Sequence, residues 1–351
     1  MTASEKAKYA IKVTVARILY ALGLLQLWQT VVMRRKAVVL MYHRVLSDDE
    51  RRGTGSHPGI VVSRETFETH MALLKRRFVV LSLEEFTRRI EQGIPFPDRS
   101  CVITFDDGWK DNFTNALPVL RKHRLPAVIF LPVNFIGRQR LFWREALTHL
   151  LVTAVLDVRR DPSERPRLSA LLAPSGLAGV LDLADENPRA AVVKAIERQG
   201  DLRAPAVDTL VSTLAAALEV RLEDLSELDG FMEWDQIRAM ARQQVTFGGH
   251  GAEHYLLDHV PPDVVEAEIQ TSRRVIGEKL DPPVLTFSYP NGSFTPKVAD
   301  SVRAAGYRAA FTTRPGFVTC DAEPFTLPRL NVHETMTSAA PMFLARVVGL
   351  F

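Results

Sequence analysis

Cysteine is scarce in this chain, and its net charge is close to zero. Cys101 lies in an apolar run and Cys320 in a late loop, and they are the two cysteines among 351 residues. Two isolated thiols provide neither a disulfide framework nor a thiolate metal site. The net charge is +3, with 44 Lys and Arg against 41 Asp and Glu mixed along the chain. We therefore expect no nucleic-acid partner.

The N-terminal apolar segment lacks the length of a membrane span. Its uncharged part, residues 18–33, contains Gln26, Gln29 and Thr30, whereas a spanning helix needs about 20 apolar residues. No small-residue cleavage site follows this segment, and a predicted strand begins at once. A cleavable signal peptide is therefore not expected.

The same segment is predicted to form an amphipathic helix. Apolar residues recur at helical spacing, namely Ile11, Val15, Ile18, Leu19, Leu22 and Leu25. Basic residues lie within and around them, namely Lys6, Lys8, Lys12, Arg17, Arg34, Arg35 and Lys36. We predict that residues 1–36 lie in a membrane interface and make the protein peripheral on the cytoplasmic face. The alternative is a helix packed on the catalytic domain.

Two adjacent carboxylates, Asp106 and Asp107, follow the apolar run Cys101–Ile103, which is predicted to be a buried strand. Side chains alternate along an extended segment, so we expect the two carboxylates to point in different directions. One would then hold a cation while the other stays free to handle protons. By itself, Asp-Asp-Gly is also a common turn sequence.

A pair of histidines, His250 and His254, follows the apolar stretch Val245–Phe247. At positions i and i+4, they would lie on one face of a helical turn and could share a metal. Alone, they could equally be surface or hydrogen-bonded histidines. Together with an Asp they make three ligands, which leaves a coordination position for water, as in catalytic sites.

A third segment, Phe287–Gly292, follows Val284–Thr286 and marks another strand end. In order and spacing, the three segments resemble the motifs of the polysaccharide deacetylases, the NodB-homology or carbohydrate esterase family 4 enzymes. The first motif matches in full. The second matches in both histidines but has Gly251 where Ser or Thr is usual, and the third is a variant. The resemblance covers about residues 37–137 and 231–335.

The resemblance implies an α/β fold, a distorted (β/α)7 barrel with functional residues at the carboxyl ends of the strands. The alternation of short apolar strands with amphipathic segments independently favours parallel strands with crossover helices. We predict a deacetylase domain over residues 37–351. A helical insertion at about 138–230 interrupts it, because that stretch has few β-branched runs and shows helical patterns near 143–155, 188–199 and 207–218.

The resemblance also implies roles for the site residues. Asp107, His250 and His254 would hold a divalent metal, zinc by ligand type, with Co²⁺, Ni²⁺ or Mn²⁺ also admitted. Asp106 would be the general base. The loop Tyr289–Asn291 would face the substrate, with Tyr289 and Pro290 beside it and the backbone N–H of Asn291 stabilising the oxyanion.

Two departures from the family pattern leave roles open. Ser288 stands where many members have Arg, and Asn291 where they have Tyr. Arg329 is the candidate to orient Asp106 in place of the missing Arg; a surface role is the alternative. For the general acid, His333 in a late Leu-x-x-His competes with His43 at the end of the first strand. We favour His43, because His333 is predicted to lie in an exposed tail.

These observations predict a metal-dependent hydrolase that removes an N-acyl group from an amino sugar, with acetyl as the leading candidate. The N-terminal helix favours a membrane-proximal glycan, such as a lipid-linked saccharide in the cytoplasm. One alternative is an exported enzyme acting on exopolysaccharide or a cell-wall glycan. Another is a carbohydrate-binding protein without activity, although a binding module has no need of a free Asp106.

Overall fold

A computed structural model describes residues 3–184, 187–199, 204–281 and 284–351 of the chain. They divide into two compact units. The first comprises residues up to 48, residues 58–137 and residues 232–351. The second comprises residues 49–57 and 138–231.

The first unit is built around a parallel sheet. The strands are β1 (Ala37–Tyr42), β2 (Arg44–Leu46), β3 (Val61–Ser63), β4 (Val79–Val80), β5 (Ser100–Phe105), β6 (Ala127–Leu131), β7 (Val245–Gly249), β8 (Thr286–Ser288), β9 (Ala309–Phe311) and β10 (Leu330–Asn331). Eight of them form one sheet in which all strands pair in parallel, in the order β10-β1-β5-β6-β7-β8-β9, with β4 beside β5. A separate parallel pair joins β2 and β3.

Helices connect these strands and make up most of the remainder. They are α1 (Ala3–Ala21), α2 (Leu24–Val32), α3 (Asp48–Gly53), α4 (Arg64–Arg77), α5 (Leu83–Glu91), α6 (Leu117–His123), α7 (Trp143–Arg160), α8 (Arg165–Leu172), α9 (Arg189–Arg198), α10 (Ala204–Ala217), α11 (Leu222–Asp229), α12 (Trp234–Ala241), α13 (Pro262–Lys279), α14 (Pro296–Ala304), α15 (Glu334–Thr337) and α16 (Ala340–Val347).

The central strands are apolar on both faces because helices cover both sides of a parallel sheet. Every residue of β1, β5 and β6 is buried.

Polar side chains mark the first residues of three helices. Ser63, Ser82 and Thr295 each accept a hydrogen bond from a backbone N–H in the first turn of α4, α5 and α14, respectively. Such caps satisfy donors that the helix itself leaves unpaired.

The segment before β10 links the two edges of the large sheet. Leu327 exchanges backbone hydrogen bonds with Ala310 (3.0 Å) and Thr312 (2.8 Å) beside β9. Three residues later, Leu330 pairs with Leu40 of β1. The sheet is therefore curled, and the predicted α/β fold of NodB type is confirmed.

The N-terminal segment differs from the prediction of one helix. It forms α1 and α2, whose axes differ by 88° between Lys8–Ala21 and Leu24–Val32. The break falls at Gly23, with φ +74°, a conformation that glycine adopts without the steric cost of a Cβ. Among the described residues no single helix is long and apolar enough to cross a membrane, whereas this bent pair together has the length and composition.

The second unit has its own apolar core, to which α7, α8, α9 and α10 contribute Leu147, Leu150, Leu168, Val192 and Leu214. The predicted insertion falls within this unit. The sequence did not indicate that residues 49–57 belong to it. They are held by the buried carboxylate of Asp229, which accepts hydrogen bonds from Thr54 Oγ1 (2.6 Å) and Gly55 N (2.6 Å).

Candidate active site

The candidate metal-binding and proton-transfer side chains follow the carboxyl ends of the parallel strands. His43 directly follows β1, Asp106 and Asp107 follow β5, and His250 follows β7. Ser288 is the last residue of β8. Because the strands are parallel, these ends share one edge of the sheet, where barrel enzymes gather their functional groups.

Both carboxylates lie close to the same histidine, beyond the end of the strand. Extended structure ends at Phe105, and Asp107 has a left-handed φ of +73°, so the alternation of a strand no longer applies. His250 Nε2 lies 3.5 Å from Asp107 Oδ1 and 3.9 Å from Asp106 Oδ2. The indole of Trp109 donates to Asp107 Oδ2 at 2.9 Å and orients that carboxylate.

Asp107, His250 and His254 form a group whose ligand atoms all lie within 4.8 Å of one another. The two Nε2 atoms are 3.2 Å apart, and His254 Nε2 is 3.3 Å from Asp107 Oδ1. His250 Nδ1 donates to the carbonyl of Ser288 at 2.7 Å. This bond leaves the lone pair of neutral His250 on Nε2, directed at the group, as is usual for metal-binding histidines. The donor set fits a divalent ion such as zinc.

Electrostatics in this group also favour a cation. Burial would raise the pKa of the Asp107 carboxyl, but hydrogen bonds from His250 and His254 hold that pKa well below its ordinary value. Burial would lower the pKa of His250, but Asp106 and Asp107 raise it above its ordinary value. Two buried anions thus stabilise any positive charge placed among them.

The prediction of a helical turn from His250 to His254 is wrong. The segment is a loop in which Gly251 (φ +77°) and His254 (φ +59°) are both left-handed. Glu268 of α13 holds the loop, because its carboxylate accepts from Ala252 N (2.9 Å) and Glu253 N (3.0 Å). A Cβ at position 251 would come within 2.7 Å of Glu268 Oε2. Glycine at this position therefore makes room for the carboxylate.

Asp106 is held by Arg329. The guanidinium donates from Nη1 to Asp106 Oδ1 (2.6 Å) and from Nη2 to Oδ2 (2.7 Å), the planar two-bond geometry in which arginine binds carboxylates most strongly. Ser288 Oγ accepts from Nη2 at 2.8 Å. Arg329 is fully buried, so the surface role considered for it is wrong.

All five N–H groups of Arg329 have acceptors. Besides the bonds to Asp106 and Ser288, Nε donates to the carbonyl of Thr312 (3.0 Å) and Nη1 to Thr104 Oγ1 (3.3 Å). Burial would raise the pKa of Asp106, but the charge of Arg329 and of the nearby histidines lowers it below its ordinary value. Asp106 is therefore ionised at neutral pH and can accept a proton.

Comparison with known proteins points to the same segments of the chain as the geometry of the site. The polysaccharide deacetylase family model matches residues 93–159 and 204–310, which include the Asp-Asp pair, both histidines and the loop after β8. The chain belongs to the polysaccharide deacetylase family. Its members are hydrolases that act on carbohydrates, and they generally depend on a divalent metal.

Individual relatives are more distant. A putative polysaccharide deacetylase of Bacillus subtilis, YxkH, is 20% identical over 87% of this chain and 74% of its own length. A poly-β-1,6-N-acetyl-D-glucosamine N-deacetylase of Staphylococcus epidermidis is 35% identical, over 30% of this chain and 38% of that protein. The solved structure of IcaB from Ammonifex degensii is similar in fold, with a TM-score of 0.55 and 18% identity, over 90% of this chain and 97% of IcaB.

His43 directly follows β1, at the same edge of the sheet as the two carboxylates. Burial lowers the pKa of its imidazole, although Asp107 and Asp106 act in the opposite direction. Its Nδ1 is buried and has no hydrogen-bond partner among the described residues. Asn112, in a π-helical turn after the Asp-Asp motif, donates to the His43 carbonyl at 2.8 Å and fixes the backbone there.

His333 does not lie in an exposed tail, as had been predicted. It is half-buried and follows β10, the strand next to β1, and two helices, α15 and α16, come after it. Its Nδ1 lies 2.7 Å from Thr335 Oγ1. Both carboxylates of the site act electrostatically on His43, and the Nδ1 contact of His333 is with a residue two positions along the chain.

The loop after β8 does not direct the phenol of Tyr289 into the site. The Tyr289 ring is buried, and its hydroxyl donates to the carbonyl of Phe325 at 3.0 Å. Pro290 is buried, and Asn291 is exposed with φ +54°. The structure thus does not bring the Tyr289 hydroxyl to the metal-ligating group, and the oxyanion role of the Asn291 N–H stays a prediction.

A second set of contacts, which the sequence did not indicate, holds Trp109, the residue that donates to Asp107. The guanidinium of Arg44 lies 4.4 Å from the centre of the Trp109 ring and pairs with Asp111 through Nε at 2.9 Å. All three side chains are buried. Trp109 comes two residues after Asp107, so its adjacency to the motif was a signal that could have identified it.

Proposed function

We propose that this chain is a metal-dependent hydrolase that removes an N-acyl group from an amino sugar of a membrane-proximal glycan. Acetyl is the leading candidate for that group. One observation carries the proposal: two neighbouring carboxylates with different partners. Asp107 belongs to a group of three metal ligands, and Asp106 is held beside it by Arg329. A binding protein has no use for a buried carboxylate kept ionised next to a metal site.

Asp107, His250 and His254 would hold the ion, zinc by ligand type, with cobalt, nickel or manganese as alternatives. An ion held by three side chains supplies Lewis-acid chemistry toward an amide carbonyl and makes water more acidic. Trp109 and the Ser288 carbonyl fix the orientation of two of the ligands, which supports metal affinity in sites of this kind.

Asp106 would accept the proton of the attacking water. Arg329 and Ser288 hold its carboxylate in one orientation, so that it need not reorganise during the reaction. His43 would donate a proton to the departing amine, and His333 is the alternative donor. The N–H of Asn291 would stabilise the oxyanion.

The names of the relatives suggest the substrate class. The staphylococcal relatives are N-deacetylases of poly-β-1,6-N-acetyl-D-glucosamine, and we extend to this chain a glycan containing N-acetylglucosamine. The basic and apolar N-terminal segment supports a substrate near the membrane, for which we propose a lipid-linked saccharide at the cytoplasmic face.

Mass spectrometry of candidate glycans tests this function. Full-length protein is stripped of metal with a chelator, reloaded with Zn²⁺ and incubated with β-1,6-linked N-acetylglucosamine oligomers and with a lipid-linked amino sugar. We expect loss of acetyl groups and release of acetate with the reloaded protein, and neither with the stripped protein or with Asp106→Asn.

Two other results would assign a different function. Tight binding of metal and glycan without release of acetate would indicate a carbohydrate-binding protein. Faster deacetylation of a finished polymer than of the lipid-linked sugar would favour an exported enzyme.

A further inference from the structure

Helices α1 and α2 both expose large apolar side chains to solvent. Large apolar side chains recur at helical spacing on both helices, with exposed fractions between 39% and 67%. We call them the helix-pair face: Ile11, Val15 and Ile18 on α1, Leu22 in the turn that follows it, and Leu24, Leu27, Trp28 and Val31 on α2. Elsewhere in the described part of the chain, the large apolar side chains of this exposure are Val79, Leu156, Tyr255 and Leu350.

The opposite side of the two helices packs on the first unit. Ala16, Leu25 and Met33 are buried. The ring of Tyr20 lies 6.0 Å from the guanidinium of Arg77 in α4, and Lys12 Nζ lies 5.4 Å from the centre of the Phe351 ring. Packing on the domain, the alternative considered from the sequence, therefore holds for one side of the pair. It leaves the helix-pair face uncovered.

Positive charge predominates in the segment that carries this face. The chain has no Asp or Glu between Lys6 and Ser47, while seven Lys and Arg fall within residues 6–36. The basic end of α4 adds to them, because Arg76 donates to the hydroxyl of Tyr20 at 3.3 Å. An apolar surface bordered by cations matches the interface of an anionic lipid bilayer, where headgroups attract Lys and Arg at roughly 1 kcal/mol each.

We propose that the helix-pair face docks on an anionic membrane and lies in the plane of its interface. The bend at Gly23 favours lying over crossing, because α2 has 9 residues and spans only about 14 Å at 1.5 Å per residue, against about 30 Å of hydrocarbon. A second copy of the chain is a poorer occupant, since a symmetric contact would bring the cations of both copies together. The proposal does not depend on the chemistry of the active site.

Flotation with lipid vesicles tests the proposal on the full-length protein. We expect the protein to float with vesicles of phosphatidylcholine and phosphatidylglycerol, less with phosphatidylcholine alone, and less again as salt rises. The variant Ile18→Ser/Leu27→Ser/Trp28→Ser should bind at least about tenfold more weakly, given the transfer energy of large apolar side chains. The control Val79→Ser/Leu156→Ser removes two other exposed apolar groups, at 41% and 43% exposure, and should bind like the parent.

A charge variant covers the case in which the triple variant fails to fold. Lys8→Gln/Arg17→Gln, which changes two exposed side chains, should weaken binding about fivefold per charge. The matched control Lys279→Gln/Lys297→Gln removes two exposed charges from other helices and should bind like the parent. The loss should vanish on neutral vesicles, where there is no anionic headgroup to lose.

Four outcomes would overturn the proposal. The first is that the full-length protein floats with neither kind of vesicle, and the second is that the control variants lose as much binding as the test variants. A dimer that dissociates in the triple variant, seen by light scattering, would assign the face to a second copy. Attachment that resists high salt and carbonate would mean insertion across the bilayer. Metal content and turnover on a soluble analogue, measured on the same samples, report separately on the active site.

Discussion

Asp106 and Asp107 are adjacent in the chain, but their carboxylates have different partners. Asp106 is neutralised by a permanent cation, since Arg329 donates to both of its oxygens at 2.6 and 2.7 Å. The Oδ1 atom of Asp107 instead lies 3.5 and 3.3 Å from His250 Nε2 and His254 Nε2, two ring nitrogens that can bind a metal. This difference indicates which carboxylate would bind a metal ion. Asp106 is already paired with the cation of Arg329, whereas Asp107 has no arginine or lysine partner among the described residues.

Removing a ligand on the Asp107 side should have the largest effect. We expect Asp107→Ala, His250→Ala and His254→Ala each to lose bound metal and turnover together, because two remaining ligands hold the ion poorly against water. Elemental analysis and acetate release measure the two properties. His259→Ala, which removes a more exposed histidine nearby, serves as the control. Full metal occupancy in all three variants would show that the ion binds elsewhere.

On the Asp106 side, Asp106→Asn should retain the metal and lose turnover by about two to four orders of magnitude, the range for a general base. It should also destabilise the fold by about 3–5 kcal/mol, because the buried charge of Arg329 loses its partner. Denaturant unfolding of the metal-loaded protein measures this change.

The double variant Asp106→Asn/Arg329→Met separates the two effects. It removes the stranded charge, so it should regain stability relative to Asp106→Asn but remain inactive. Turnover close to that of the parent in Asp106→Asn would mean that another group is the base.

A smaller effect is expected at Glu268, which acts on the Asp107 side through the loop backbone. Glu268→Ala removes the acceptor of two backbone N–H groups and should lower zinc affinity by about tenfold to a hundredfold, as loss of outer-sphere partners does. Competition with a fluorescent chelator measures affinity without an activity assay. Glu266→Ala, on an exposed position of the same helix, should bind zinc like the parent; equal losses in both would refute the role.

The smallest effect concerns the proton donor. His43→Ala should slow turnover more than His333→Ala, with metal retained in both, because His43 directly follows β1 and both carboxylates of the site act electrostatically on it. Rates on an amide substrate and on an ester analogue sharpen this test, since an alkoxide leaving group depends less on protonation than an amine does. The opposite ranking would assign the role to His333.

Local features could be predicted from the sequence. The strands before the motifs and the residue pairs Asp106–Asp107 and His250–His254 are each encoded within a few positions, because an apolar run and the polar residues after it specify a strand end. The curled parallel fold followed from the family motifs and from the alternation of strands and helices.

The features that the sequence did not reveal depend on contacts between distant segments or on single glycines. Glu268 is recognisable as the support of the His254 loop only once α13 packs beside it. The choice between surface and site for Arg329 required the pairing of β10 with β1. Gly23 turned a predicted single helix into two, and Gly251 replaced a predicted helical turn with a loop; periodicity alone does not report backbone handedness.

The pairing of Asp106 with Arg329 has a consequence for the order in which the protein is made. The two residues are separated by 223 positions, so a ribosome releases the carboxylate long before its guanidinium. Between the synthesis of His254 and that of Arg329, the nascent chain has all three metal ligands but an uncompensated Asp106, and burying that charge alone is strongly unfavourable. The strand ends around Asp106 should therefore stay open to solvent during synthesis, and the arrival of Arg329 would close them as one of the last steps of folding.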